Sequence, residues 1–369
     1  MDNSNVVSKI TRVLNRFSKK ITLLQGSSNS TTQQSMSSNE QAKVVSHRLY
    51  YIRRRLSEKG FSAQASEIMS KAWRNSTSKQ YEYCWRKWHI WCISKQYNPF
   101  TPTLVNFINF LAHLFRQGKS YSCINSYKCA ICQTLVASDN IDLSNNPAIK
   151  KFMKGVFNIR PPKPRYNSVW DVSKLLSYLK TLFPTSEISI KQLTLKCVAL
   201  LALTSVQRIQ SLASLEISCI EFFDDKIVLN TSVLLKTSTP KNPYQQYIIN
   251  CYKDKSLCPV LCLKEYLHRT KKVRKSKKLF VSFKTFKSVS SSTIARWLTL
   301  VLVSSGIDTS IYKAHSYRSA SSSAAKRAGM SVNNILKHAN WKSANTFYKF
   351  YYKKTDSSKN FTDSVFSTK

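Results

Sequence analysis

Apolar residues recur at helical spacing along most of the chain. From about Val45, the residues Leu49, Ile52 and Leu56 fall on one face. Gly60 followed by Ser62 then punctuates before a second short helix running to Trp73. Asn75-Ser-Thr-Ser offers N-cap side chains to a longer helix carrying Tyr81, Cys84, Trp85, Trp88 and Cys92 on one stripe. Pro99 and Pro102 break that pattern, and further helices are expected over 103–116, 120–137 and 147–157. An all-helical module of 46–158 follows. The segment RPPKPR that starts at Arg160 cannot be helical, so 159–167 reads as a stiff basic linker.

The second domain spans 168–354 and changes character. It opens with a very apolar helix over 190–204, followed by short strands expected at 226–229, 232–236 and 244–250. Helices at 258–269, 291–305 and 316–329 come next, with an apolar strand at 279–282 between the first two. The fold class is therefore predominantly α with a small antiparallel β-sheet, an α+β arrangement. Residues 1–45 read as a flexible tail rich in Ser, Asn and Gln, too polar over 24–45 to bury a core. The tail 355–369 carries Phe361, Val365 and Phe366 at a spacing that makes one apolar face of a short helix, suited to docking on a neighbouring protomer.

Composition sharpens this picture. Only 6 Gly and 10 Pro in 369 residues favour long helices over turn-rich β architecture. Lys and Arg number 58 against 18 Asp and Glu, a net charge of +40, whose self-repulsion calls for a polyanion. Double-stranded DNA is the expected partner, with affinity falling steeply as salt rises. Arg74, Lys79, Arg86 and Lys87, beside Trp and Tyr, are candidate DNA-contacting cations, and Lys163 and Arg165 of the linker join them. The aromatic stripe itself reads better as one buried face.

The 10 Cys are scattered, and the lone CxxC (Cys129, Cys132) has no second pair at zinc spacing, so no metal is expected. The N-terminus lacks the apolar core of a signal peptide, and no long apolar segment suggests a membrane span. A reducing interior, and for a DNA partner the nucleus, is the expected location, with KKVRKSKK from Lys271 to Lys278 as a possible import cluster.

Four weak signals in the second domain become strong together. TSVQRIQSLASL places Arg208 where one helix ends and the next begins, although it could instead pair with Glu216. LLKTSTP places Lys236 at a hairpin turn, chosen over Lys241 because it ends a strand. AHSYR spaces His315 and Arg318 so that both reach one side of a helix start. SVNNILKHANWKSANTFYKFYY carries an apolar helix, Trp341 and then a run of tyrosines.

In that order the set resembles the tyrosine recombinase/phage-integrase family, whose pattern is Arg, hairpin Lys, His-x-x-Arg, His or Trp, then Tyr. The strings STSKQYEYCWRKW, LLKTS, LCPVLCLKEYL and AHSYRSASSSAA resemble the branch encoded by DIRS-type retroelements, and the likeness covers about 46–353. It implies a helical core-binding domain of the SAM-like type, a catalytic domain, and a site-specific recombinase or integrase that works as a homotetramer on two duplexes. Each chain would clamp DNA between its two domains. No cofactor and no small-molecule substrate are implied.

The resemblance also implies roles. Arg208 and Arg318 hold the scissile phosphate, Lys236 protonates the leaving 5′-oxygen, and His315 exchanges a proton. Trp341 packs or donates through its indole, and a Tyr attacks to give a 3′-phosphotyrosine bond. Trp341, not His338, falls at the His/Trp position. The usual spacing of nine residues lands on Phe350, so the chain departs by one. Tyr351 is favoured by the branch pattern, with Tyr348 and Tyr352 still open. The family's Thr-Gly-Leu-Arg becomes Thr-Ser-Val-Gln-Arg around Arg208. A repurposed DNA-binding protein and a type IB topoisomerase are the competing functions. A metal-dependent transposase is disfavoured, because no trio of carboxylates clusters along the chain.

Overall fold

The computed structural model describes residues 47–139, 142–163 and 166–355. The expected tail 1–45, most of the tail 355–369 with Phe361, Val365 and Phe366, and Arg165 of the linker lie outside these. The chain divides into two compact units between Lys163 and Pro164.

The first unit is all-helical: α1 (Arg48–Glu58), α2 (Ala63–Ser70), α3 (Asn75–Ser94), α4 (Leu104–Arg116), α5 (Tyr121–Asp139) and α6 (Pro147–Ile159). Side-chain caps start several of them. Ser62, Thr103 and Asn146 each accept a first-turn amide, and Pro147 occupies a position where its missing N–H costs nothing. The expected cap at Asn75-Ser-Thr-Ser does not form: α3 begins at Asn75 itself, with Arg74 before it and no side-chain cap. The α3 stripe is the buried face. Trp85 and Trp88 are fully enclosed, the first near Tyr51 and Phe100, the second edge-on to Phe107 and Phe110.

The second unit is built around α8 (Ile190–Ser205), which is buried along nearly its whole length and packed by α10 (Pro259–Thr270), α11 (Ser291–Ser304) and α12 (Ser316–Arg327). Burial on all sides explains why the helix reads as continuously apolar. Ser189 and Gln192 close it with a capping box. Of its two lysines, Lys191 is exposed at the first turn, whereas Lys196 is fully buried and its Nζ donates to the Leu182 carbonyl at 2.6 Å. The helix α7 (Val172–Thr181), capped by Asp171, precedes it. The helices α9 (Ile209–Ser214), α13 (Val332–Ala339) and α14 (Ala344–Phe350) complete the helical part.

The sheet is antiparallel, with β3 (Lys226–Asn230) between β2 (Ile220–Phe222) and β4 (Gln246–Asn250). Central β3 buries Ile227, Val228 and Leu229 in a row, whereas β4 alternates, with Tyr247 and Ile249 inward. A separate parallel pair joins β1 (Ser168–Val169) to β5 (Lys354–Thr355).

Two expected strands are corrected. Residues 232–236 are not a strand; they belong to a loop between β3 and β4, and the third strand is β2 instead. The loop's turn is closed by two bonds, Ser238 N to the Leu235 carbonyl and Leu235 N to Ser238 Oγ, which a ladder cannot share. Residues 279–282 form no strand either, only an isolated bridge of Val281 to Ser288. Glu216 pairs with Lys278 at 2.8 Å rather than with Arg208. Arg274 of the basic run donates to the carbonyls of Lys278 and Leu279, so that run is partly woven into the fold.

Candidate active site

Helix α12 carries the centre of the site, and its run of small polar residues explains how. Ser and Ala side chains let neighbouring backbone approach closely, and each hydroxyl can satisfy a carbonyl or amide. Ser319 and Ser323 both donate to the Tyr351 carbonyl, at 2.5 and 3.0 Å, and Ser323 accepts the Lys353 amide at 3.0 Å. Ser321 donates to the Leu203 carbonyl at the end of α8, and Ser316 accepts from the Trp170 indole. From opposite faces, one helix thus fixes both the chain leading toward Arg208, through Ser321, and the segment bearing Tyr351, through Ser319 and Ser323.

Arg318 points into this junction and is 2% exposed. Its guanidinium carbon lies 5.2 Å from the Trp341 ring centre and 4.9 Å from that of Tyr351. None of its three guanidinium nitrogens has a hydrogen-bond partner among the described residues. Burial pushes its pKa down to about 10. The Tyr351 and Tyr247 hydroxyls oppose that drop, and the neighbouring Arg208 charge reinforces it. A buried, unpaired guanidinium beside a second arginine is a strong seat for an anion.

Arg208 reaches this place through an unusual backbone. Val206 ends α8 in the left-handed region at φ 53°, a strained conformation for a β-branched residue. The reversal lets Arg208 open α9 two residues later. Val206 is buried against Ile335, Ala339, Trp341 and Phe347, which holds the strained turn in place. His338, passed over for the His/Trp position, meets the Thr204 carbonyl through Nε2 at 2.5 Å and so ties α13 to the same turn.

Asn340, at φ 52°, ends α13 and turns the chain so that Trp341 folds back onto this cluster. Trp341 stacks on Tyr351, with ring centres 4.2 Å apart and planes 18° from parallel. Of the three candidate tyrosines, only Tyr351 is brought to Arg318. Tyr348 and Tyr352 are 49% and 37% exposed and pack on each other and on Phe347. Tyr351 follows the last residue of α14 rather than sitting within it, so its ring escapes the helix face. His315 precedes the first turn of α12, exposed, with its ring centre 6.5 Å from that of Tyr351.

Lys236 is exposed in the turn of residues 235–238 and makes no side-chain hydrogen bond or ion pair among the described residues. Tyr247 on β4 was missed by sequence reasoning. It is buried, it feels the charges of Arg318 and Arg208, and burial pushes its hydroxyl up to about 12. Its only signal in the sequence was an inward position on an alternating strand.

In the first unit, Arg74, Lys79, Arg86 and Lys87 are all exposed, with Arg86 and Lys87 each 5.9 Å from the Tyr83 ring centre. Lys163 is exposed as well. Lys87 also lines a hollow of about 900 Å³ with Lys95, Arg116, Lys119, Trp91 and Tyr97, most of them unremarked in the sequence. Among the described residues, no three His, Cys, Asp or Glu cluster as metal ligands, and no helix is long and apolar enough to cross a membrane.

Residues 171–358 match the model of the Phage integrase family. Among solved structures, the chain is similar to XerH site-specific recombinase bound to palindromic difH substrate in a post-cleavage complex. The TM-score is 0.58 at 12% identity, over 88% of this chain and 95% of that one. The Tn1549 transposon integrase in complex with transposon right end DNA gives 0.55 and 13%, over 87% and 98%. A lambda integrase dimer bound to a COC′ core site gives 0.51 and 15%, over 80% and 94%. These likenesses show the fold: mostly helical, with a three-stranded antiparallel sheet. No curated protein matches the chain by sequence.

Proposed function

The chain belongs to the phage integrase family of tyrosine recombinases, and from that footing we propose that it breaks and rejoins DNA strands as the integrase of a mobile element. The resemblance of its motif strings to those of DIRS-type retroelements supports that source. We further propose that it acts in the nucleus as a homotetramer on two duplexes, since strand exchange requires four cuts. Some relatives of the same fold were solved on DNA, among them a lambda integrase tetramer bound to a Holliday junction.

The observation that carries this reading is the unpartnered Arg318 guanidinium against the Tyr351 ring. A DNA phosphodiester repels nucleophiles, and attack adds charge to its oxygens. Arg318 and Arg208 would take the non-bridging oxygens and stabilise that charge. Tyr351 Oη would attack phosphorus, forming the 3′-phosphotyrosine bond as the bond to the 5′-oxygen breaks. Lys236 would supply the proton to that oxygen, and His315 would exchange one at the phosphate or the phenol. Energy is kept in the new ester, so the reverse attack rejoins strands.

The Tyr351 ring, stacked on Trp341, covers Arg318 in this arrangement. Binding of a phosphate at the guanidinium would therefore require the ring to move. Trapping on a nicked suicide substrate tests the proposal. Wild type should form a covalent protein–DNA adduct, and Tyr351→Phe should bind DNA equally well and form none. If wild type yields no adduct on the element's own ends, the protein is a DNA-binding protein only. If Tyr351→Phe still reacts while Tyr348→Phe or Tyr352→Phe does not, the nucleophile has been misassigned.

A further inference from the structure

The loop that carries Lys236 is tied by side-chain hydrogen bonds to Tyr247, which lies within electrostatic reach of the arginine cluster. Its neck is closed where β3 ends and β4 begins: Thr231 N donates to the Gln245 carbonyl at 3.0 Å, and Gln245 N donates to Thr231 Oγ1 at 2.9 Å. From that neck the Gln245 side chain, itself buried, bridges two directions. Its Nε2 donates to Thr237 Oγ1, in the turn immediately after Lys236. Its Oε1 accepts the Tyr247 hydroxyl. Tyr247 in turn is met by the Asn340 side chain, one residue before Trp341, and sits within electrostatic reach of Arg318 and Arg208.

An exposed lysine on the loop of residues 231–245 would otherwise be free to wander, because such a loop is held only at its ends. A general acid must sit within hydrogen-bond reach of the oxygen it protonates, so something must set the loop's position. Leu235 anchors the turn by burying itself in the core, and directional bonds on the other side of Lys236 add orientation to that anchor.

We propose that Thr237, Gln245 and Tyr247 are positioning residues that register the Lys236 turn against the phosphate-binding arginines. The inference rests on the reading of Lys236 as the acid, and its test separates the two.

Single-turnover adduct formation is measured on two suicide substrates, one with the normal 5′-bridging oxygen and one with sulfur in its place. A thiolate leaves without a proton, so the sulfur substrate does not need the acid. Thr237→Val keeps the shape of the side chain and removes the hydroxyl. It should slow the oxygen substrate about tenfold, on the order of one hydrogen bond's contribution, and leave the sulfur substrate within about twofold. Thr237→Ser restores the hydroxyl and should restore the oxygen rate. Tyr247→Phe should repeat the Thr237→Val pattern. If Thr237→Val slows both substrates equally while Lys236→Ala is still rescued by sulfur, the relay is overturned and the acid assignment stands. If Lys236→Ala is not rescued by sulfur, Lys236 is not the acid and the inference falls with it.

Discussion

Replacing Arg318 by Met should stabilise the DNA-free protein while abolishing its chemistry. The pKa of about 10 at Arg318 means that burial disfavours its charged form by about 3 kcal/mol relative to a solvated arginine. Against this stand two ring contacts, to Trp341 at 5.2 Å and Tyr351 at 4.9 Å. Together these contribute about 1–2 kcal/mol, of which the Met thioether retains part. Met follows the stem only as far as the Nε position and is three heavy atoms shorter, so the void left at this buried site takes back about 1 kcal/mol. The net expectation is a gain of about 1 kcal/mol in the second unit. For a unit of this size that raises the melting temperature by about 2–4 °C in scanning calorimetry without DNA. Adduct formation should fall by at least about 10³-fold, because a donor aimed at the developing charge has been removed. Opposite signs for stability and activity are the mark of a residue strained for function. A lower melting temperature for Arg318→Met would refute the reasoning, since it would mean the guanidinium is a structural group with partners of its own.

Other outcomes follow from separate parts of the molecule. His89 is buried beside Phe100, and burial pushes its pKa down to about 4. The unfolded chain takes up its proton near pH 6.5 and the folded chain only near 4, so stability is full above 6.5 and falls by up to about 3 kcal/mol as pH drops to 4. In denaturant titrations, His89→Leu should flatten that slope, and an unchanged slope would clear His89 of the effect. Separating the chain between Lys163 and Pro164 should leave each half binding duplex DNA more weakly, with a shallower dependence on salt than the whole. Equal affinity for the isolated second unit would show that the first contributes nothing. Exchanging Lys95, Arg116 and Lys119 around the hollow of the first unit for Gln should reduce the salt slope by about three in the same titrations. A slope that does not move would place the DNA path elsewhere.

Local pattern was enough for much of this. Helical spacing and proline breaks located the helices of the first unit, because an amphipathic stripe such as Trp85–Trp88–Cys92 depends on neighbours three and four residues away. Order along the chain was enough to nominate Arg208, Lys236, His315, Arg318, Trp341 and Tyr351. What the pattern could not supply was anything depending on residues far apart in sequence. The strand expected at 232–236 has the apolar content of a strand, but it lost its ladder to a turn in which Ser238 outcompetes a neighbouring chain for Leu235. The choice among three tyrosines was open in sequence because all lie within five positions. The helix stops at Phe350, so that of the three Tyr351 alone turns inward to Trp341 and Arg318, and this placement is what favours it as the proposed nucleophile. The contact of His338 with the end of α8, and those of Gln245 and Tyr247 beside the Lys236 loop, appear only once these distant segments are packed together. Local spacing sets which residues share a face; only packing of distant segments sets which polar atoms are buried together, and the chemistry depends on those.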